Sequence, residues 1–186
     1  MMNKSKIAVA IFAGGKSTRF GSPKINAKVD GLEFGGRIVD SLRVAGFAEI
    51  CLIGGQVHDA EKWDIKHVPD QFQDGGPLGA LITAMKSLSH DLLMTLPCDV
   101  PFIDSKSCLK ISQISNAIEV RVARTDVPQW LCSTWRASAL RSLESSFASG
   151  ERAIHKIVGN FKHEFVDVSP HSLLNVNSPH DLEFSN

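Results

Sequence analysis

Two patterns of apolar positions alternate along the chain. Ile7–Phe12 is an unbroken apolar run, as long as a strand covered on both faces. Phe34, Ile38, Leu42 and Ala45 then recur every three to four residues and predict a helix that stops at Gly46. "EICLIGG" reads as a second buried strand closed by Gly54 and Gly55, and "IKHVPD" as a short third one. In "GGPLGALITAMKSLSH", Leu78, Leu81, Ile82, Met85 and Leu88 share one helical face, with Pro77 in a first turn that needs no amide donor. "DLLMTLPCDVP" is a further buried strand, stopped between Pro97 and Pro101.

Beyond it the pattern predicts a helix over Asp104–Ser115 and strands near Ile118–Arg124 and Trp130–Trp135. A helix around Ser138–Ser149 gathers Leu140, Leu143 and Phe147, and a shorter one follows over Glu151–Val158. A last strand lies at "HEFVDV". Strand–helix alternation of this kind predicts a three-layer α/β domain with a largely parallel sheet. Ligands of such sheets sit beyond the carboxyl ends of the strands. Three strands end in informative residues: Gly14–Gly15, Asp70, and Cys98–Asp99. All three face one crevice in this reading.

Composition narrows the chemistry. The chain has 186 residues, 43% hydrophobic and 22% charged, with 20 basic side chains balancing 20 acidic ones. No global field draws nucleic acid or an anionic membrane, so any anion site must be local. No run approaches the ~18 apolar residues of a membrane span. The apolar stretch after "MMNKSK" is better explained as a buried strand than as a signal peptide. Cys51, Cys98, Cys108 and Cys132 form no CxxC pair, and the seven histidines form no HExxH. The expectation is reduced thiols in a cytoplasmic protein without a zinc site.

The chemistry concentrates in "IAVAIFAGGKSTRFGSPK" (7–24). A Walker A loop would need glycine at position 10, where Ala10 stands, and the spacing of Gly14–Gly15 does not fit GxGxxG. The segment still has the makings of a phosphate loop. Gly14 and Gly15 let backbone amides approach an anion, and Arg19 and Lys24 can neutralise its oxygens. A plain Gly-rich turn with solvated basic side chains is the competing reading. Asp99 bears on that choice, because a carboxylate at the end of an apolar strand is costly unless paired or bound to a metal. Mg²⁺ in triphosphate chemistry takes one or two carboxylates plus substrate phosphates. The other use for such an acid, a helix N-cap, suits Asp104 better. Cys98 and Cys132 read as small core residues rather than nucleophiles.

"AGGKSTRFGSPK" resembles the "LAGGxSxRMGxxK" signature of the MobA-like nucleotidyltransferases. "VPDQFQDGGPLGAL", "LPCDVPF", "QWLCSTW", "FASGERAI" and "LLNVNSPHDL" resemble further elements of that family, in the same order over nearly the whole chain. The resemblance implies a single nucleotidyltransferase domain over residues 1–186. Its fold would be a three-layer α/β/α Rossmann-like fold of the nucleotide-diphospho-sugar-transferase type. It implies Mg²⁺-dependent transfer of GMP from GTP to the phosphate of molybdopterin, with release of pyrophosphate. It also implies contact with molybdoenzyme-maturation proteins and none with nucleic acid or membrane.

By position, Phe12, Ala13, Gly14 and Gly15 would line the nucleotide, with Gly54 at the base and Asp70 at the nucleoside. Lys24 and Arg19 would serve the triphosphate, and Asp99 would bind Mg²⁺. Asn175 and Asn177 match the family's NxN and would face the acceptor or the metal shell, and Gln129 would border the pterin side. Two departures stand out. Trp130 and Trp135 replace the usual Pro and Tyr, where an indole could stack on a pterin or pack in the core. Ile53–Gly54–Gly55 lacks the Asn that guanine-selecting relatives carry. A cytidylyltransferase on the same scaffold, or a non-catalytic nucleotide-binding relative, are the alternatives.

Overall fold

The computed structural model describes residues 7–14, 23–177 and 181. A seven-stranded sheet has the spatial order β5-β4-β1-β6-β8-β7-β9. Its strands are β1 (Ile7–Phe12), β4 (Ile50–Ile53), β5 (Lys66–Val68), β6 (Leu92–Pro97), β7 (Val120–Arg124), β8 (Pro128–Arg136) and β9 (His163–Asp167). Pairing is parallel throughout except along β8, which runs against both β6 and β7. The helices are α1 (Phe34–Val44), α2 (Val57–Lys62), α3 (Gly76–Ser87), α4 (Ser105–Ser112), α5 (Leu140–Ala148) and α6 (Ile154–Ile157).

The central strand explains the layering. Side chains alternate across a strand, so Ile7, Val9 and Ile11 enter one core with Ile38 and Leu42 of α1 and Cys108 and Ile111 of α4. Ala8, Ala10 and Phe12 enter the other, with Leu78, Leu81 and Ile82 of α3 and Leu143 of α5. Small residues in the second set let α3 lie close to the sheet. The result is the α/β/α sandwich expected from the periodicity, with a mostly parallel sheet.

Helix ends follow local chemistry. After α1, Gly46 takes φ +86°, its amide donates to Arg43 O, and the Phe47 amide donates to Leu42 O. Those two bonds satisfy carbonyls the helix would leave open, and Phe47 packs in the same core as Leu42. Asp104 caps α4 by accepting from Ser107 N at 2.7 Å, as the sequence suggests. That helix is shorter than expected, ending at Ser112. The helices expected over 138–149 and 151–158 shorten to α5 and α6, each flanked by a turn of 3-10 helix.

Two elements escaped the periodicity. The hairpin of β2 (Lys28–Val29) and β3 (Leu32–Glu33) turns through Asp30 and Gly31, both at positive φ. An Asp-Gly pair is a strong hairpin signal, but two residues a side show no alternation. The single-turn-and-a-half α2 is polar and too short to carry a stripe. Among the described residues, no helix is long and apolar enough to cross a membrane.

Candidate functional site: a Lys–Asp–Asn cluster at the carboxyl edge of the sheet

Strands β1 and β6 are neighbours, and the chain passes from one side of β1 to the other between β5 and β6. This is the switch point where an open α/β sheet forms its crevice. Phe12 pairs with Ile53 on one side and Pro97 on the other. The Phe12 carbonyl accepts from Cys98 N at 3.1 Å, and Ala13 N donates to Ile53 O at 3.0 Å. These backbone groups belong to the sheet, which makes Gly14 the first residue past the ladder. Gly15 and Arg19 lie outside the described residues.

Asp99 is fixed from several directions. The Asp99 carbonyl accepts from Val176 N at 2.9 Å, and Arg37 Nε donates to Pro101 O at 3.1 Å while its guanidinium lies over Phe102. Val176 is fully buried with Ala27, Val29 and Phe34 in a small core under the β2–β3 hairpin. The residues on either side, Asn175 and Asn177, are thereby turned the other way, toward the carboxylate. The unpredicted hairpin thus anchors the terminal NxN segment.

Four side chains converge there. Lys24 Nζ lies 3.0 Å from Asp99 Oδ2 and 2.6 Å from Asn177 Oδ1. With its amide nitrogen facing the carboxylate, Asn175 donates to Asp99 Oδ1 at 2.6 Å and to Oδ2 at 3.1 Å. The lysine and aspartate side chains are 14% and 22% exposed, so the pair is half-shielded yet reachable from solvent. Two hard oxygens, one of them charged, already embrace a positive charge. That donor chemistry suits a small hard cation as well as an ammonium. Among the described residues no three His, Cys, Asp or Glu side chains gather as a metal cluster.

A second group lies beside the first. A Cβ added to Gly14 would stand 3.9 Å from Asp70 Oδ2, and one added to Gly54 would stand 3.5 Å from Gly14 N. Gly54 and Gly55 have φ +70° and +68°, which explains the paired glycines after β4. The Gly54 amide donates to Val68 O and its carbonyl lies 3.2 Å from His67 Nε2. Asp70 Oδ1 accepts from Phe72 N and Thr83 Oγ1 at 3.1 and 3.3 Å, leaving Oδ2 toward Gly14. His67 and Thr83, neither legible as site residues from sequence, thus hold this wall.

Gln129 is not drawn into either group. Its amide nitrogen reaches Thr125 Oγ1 at 3.4 Å within the β7–β8 hairpin. The pairing of β7 with β8 jumps from Val122–Ser133 to Ala123–Gln129, so β8 bulges over residues 130–132. Thr95 Oγ1 satisfies the displaced Leu131 carbonyl at 2.8 Å. Trp135 is fully buried, its indole N–H donating to Ser133 Oγ at 2.8 Å, and it serves the core. Trp130 is half-buried against His155 and Phe165. Burial, reinforced by the Asp99 charge and opposed by Lys24, pushes the Cys98 thiol up to about 12. A thiol so held is protonated and no nucleophile, as its reading as a core residue requires.

The profile of the MobA-like NTP transferase domain matches residues 9–165. The chain belongs to the MobA-like NTP transferase family. The matched span includes Gly14, Lys24, Asp70 and Asp99. A curated relative from Aquifex aeolicus, named "probable molybdenum cofactor guanylyltransferase", is 27% identical over 180 residues, covering 93% of this chain and 87% of that one. The solved molybdopterin-guanine dinucleotide biosynthesis protein A of Archaeoglobus fulgidus superposes with TM-score 0.77 at 18% identity, covering 96% of each chain. A 4-diphosphocytidyl-2C-methyl-D-erythritolsynthase from Anaerococcus prevotii also reaches 0.77, at 15% identity and 99% and 98% coverage. The chain shares the fold of these proteins.

Proposed function

We propose that this family member transfers GMP from GTP to the terminal phosphate of molybdopterin, releasing pyrophosphate. The observation that carries the reading is the cluster of Lys24, Asp99, Asn175 and Asn177 at the switch point of the sheet. The names of the curated relatives supply the substrate class.

An oxygen of the acceptor phosphate attacks the α-phosphorus in line. The new O–P bond forms as the bond to the bridging α–β oxygen breaks, and pyrophosphate leaves with that electron pair. The attacking phosphate is already ionised near neutral pH, so no side-chain nucleophile or general base is needed. Catalysis consists of positioning and charge neutralisation. Asp99 would hold Mg²⁺, which when bound supplies positive charge to the phosphates and the leaving group. Lys24 exchanges its bond to Asp99 for the triphosphate, and Arg19 adds a second cation by position. Gly14 admits the phosphates at the end of β1, Asp70 accepts from the ribose, and Gly54 borders the base. Asn175 orients the Asp99 carboxylate, and Asn177 holds Lys24 until the nucleotide arrives. Gln129 borders the acceptor side from the start of β8. The four buried thiols suit a reducing cytoplasm.

Thermal unfolding with GTP, CTP, ATP or UTP, each with Mg²⁺ or chelator, tests the reading. A nucleotide at 100 times its dissociation constant stabilises by about 2.7 kcal/mol. The expected result is a Mg²⁺-dependent shift led by GTP, followed by pyrophosphate release on adding molybdopterin. A shift led by CTP would move the assignment to a cytidylyltransferase, a reading kept in view by Gly54, which offers a base no side-chain amide. No shift with any nucleotide would overturn the enzyme reading.

A further inference from the structure

The short 3-10 turn Lys24–Asn26 carries the site lysine, and its three side chains diverge. Three residues per turn spread them about 120° apart. Lys24 reaches Asp99, Ile25 is buried in the core beneath α1, and Asn26 points to α2. There Asn26 Nδ2 donates to Asp59 Oδ1 at 2.8 Å. Asp59 is 1% exposed, and the imidazole of His58, itself 70% exposed, lies with Nε2 at 3.3 Å from Asp59 Oδ1.

The pair is poorly satisfied. Asp59 Oδ2 and Asn26 Oδ1 are both buried, with no hydrogen-bond partner among the described residues. Buried polar atoms left open are a standing cost, and two apolar side chains of similar shape would stabilise the fold at least as well. Stability therefore does not account for this pair. Buried Ile25 and Ala27, whose carbonyl accepts from Phe34 N at 2.8 Å, hold the turn on the α1 side, and the Asn26–Asp59 bond holds it on the α2 side against a roll. A roll would swing Lys24 Nζ off the line between Asp99 and Asn177.

We propose that Asp59 and Asn26 are positioning residues for Lys24: a buried, directional peg that fixes the turn so that the amine meets Asp99 and the incoming phosphates. The inference rests on the nucleotidyl-transfer reading above. It extends the working machinery to α2. Misplacement by about an ångström is enough to slow a reaction that depends on positioning.

The test measures single-turnover transfer from GTP, KM for GTP, and thermal unfolding. The variants are Asp59→Asn, Asp59→Leu, Asn26→Asp and the double variant Asn26→Asp with Asp59→Asn, each with Lys24 and with Lys24→Ala. Asp59→Asn keeps an acceptor oxygen and should stay within about threefold of wild type. Asp59→Leu should lower the rate constant at least tenfold, and should lower the melting temperature as well, because the Asn26 amide is left without its acceptor. In the Lys24→Ala background the same change should do nothing further to the rate, because the group it positions is gone. Asn26→Asp sets two carboxylates face to face and should lower rate and stability together. The double variant, with the hydrogen bond reversed, should restore both.

Equal losses with and without Lys24, or a wild-type rate in Asp59→Leu, would overturn the proposal. If Asp59→Leu does not fold, the Asn26→Asp loss and its rescue decide. If the wild-type protein transfers nothing, the functional reading fails by itself. The NMR signal of Lys24 Nζ, displaced by Asp59→Leu and unmoved by Asp59→Asn, then still reports whether the peg places the amine.

Discussion

Asp99 partners both Lys24 and Asn175 in the cluster, and removing its carboxylate has two separable effects. Lys24 and Asn175 lose their common partner, and the crevice loses its one charged oxygen ligand at the end of β6. Asp99→Ala should lower Mg²⁺-dependent transfer by at least about 100-fold, the scale seen when one preorganised charge-stabilising group is deleted. The backbone anchor from Val176 to the Asp99 carbonyl survives the change, so the melting temperature should move by only a few degrees. A variant that transfers nucleotide at near-normal rate would exclude Asp99 as the metal residue. Gly54 offers the opposite experiment. Its φ of +70° is one that Asn adopts more readily than most side chains, at some cost in strain, and the space where a Cβ would go is bounded by Gly14 N at 3.5 Å, an ordinary contact. Gly54→Asn should therefore fold, and it should raise the preference for GTP over ATP about tenfold through one added side-chain bond to the base. An unchanged ratio would mean that the base is selected elsewhere. Asp99 was legible in sequence because a carboxylate at the end of an apolar run has few structural uses, and Lys24 because it closes a glycine-rich basic loop, whereas Asn175 and Asn177 were legible only through the family's NxN. Asp59 and His67 were not, since an acid in a polar helix and a histidine near a strand end look solvated until the tertiary neighbours are known. Gln129 was legible by motif only, as its direction depends on a bulge with no compositional mark.

Among the elements, α1 is the one whose sequence looks least suited to its place. It opens with Phe34–Gly35–Gly36, and two glycines in a first turn weaken a helix. The reason is a neighbour: a Cβ on Gly35 would lie 2.1 Å from Trp63 Cη2 and 2.7 Å from Ile25 Cγ1. Trp63 packs flat against the bare backbone and closes α2 onto α1. Gly35→Ala gains helix propensity but forces Trp63 or Ile25 aside, and overpacking of that kind costs about 1–3 kcal/mol. The expected net result is a lower midpoint of urea unfolding. Because Ile25 is next to Lys24, the KM for GTP should rise as well. Gly36→Ala, whose Cβ would meet Trp63 at 3.3 Å, should be milder. A Gly35→Ala protein as stable as wild type would mean the indole yields freely. The buried strands and the α3 stripe were readable from periodicity because both faces or one full stripe are apolar. The direction of β8 was not, because hydrophobic pattern carries no strand sense. The signal lay in the connection: only residues 125–127 separate β7 from β8, and so short a link can join antiparallel neighbours alone.

Over the whole molecule, the formal charge is zero and the four thiols are all buried, and those two facts set how stability should respond to alkali. Burial is the leading cause that raises Cys51, Cys98 and Cys108 from near 9 to about 12, and it raises Cys132 further in the same direction. In the unfolded chain the same thiols ionise at ordinary values. Between those limits the unfolded state has lost protons that the folded state keeps, so stability falls as pH rises. Well below about pH 8.5 both states are protonated and the contribution is fully present. Toward pH 12 it is lost, at about 1.4 kcal/mol per pH unit for each thiol. Urea unfolding from pH 8 to 10.5 should show this as a steepening decline. Lysines lose charge over the same window, which makes the wild-type slope alone ambiguous. Cys51→Ala and Cys108→Ala separate the sources, because each removes one thiol and leaves every lysine. Each should be less stable than wild type at pH 8, having lost a buried sulfur, yet should close that gap as pH rises. Parallel curves would mean that the thiolates form in the folded protein too, and that the two cores on either side of the sheet are open enough to water to permit it.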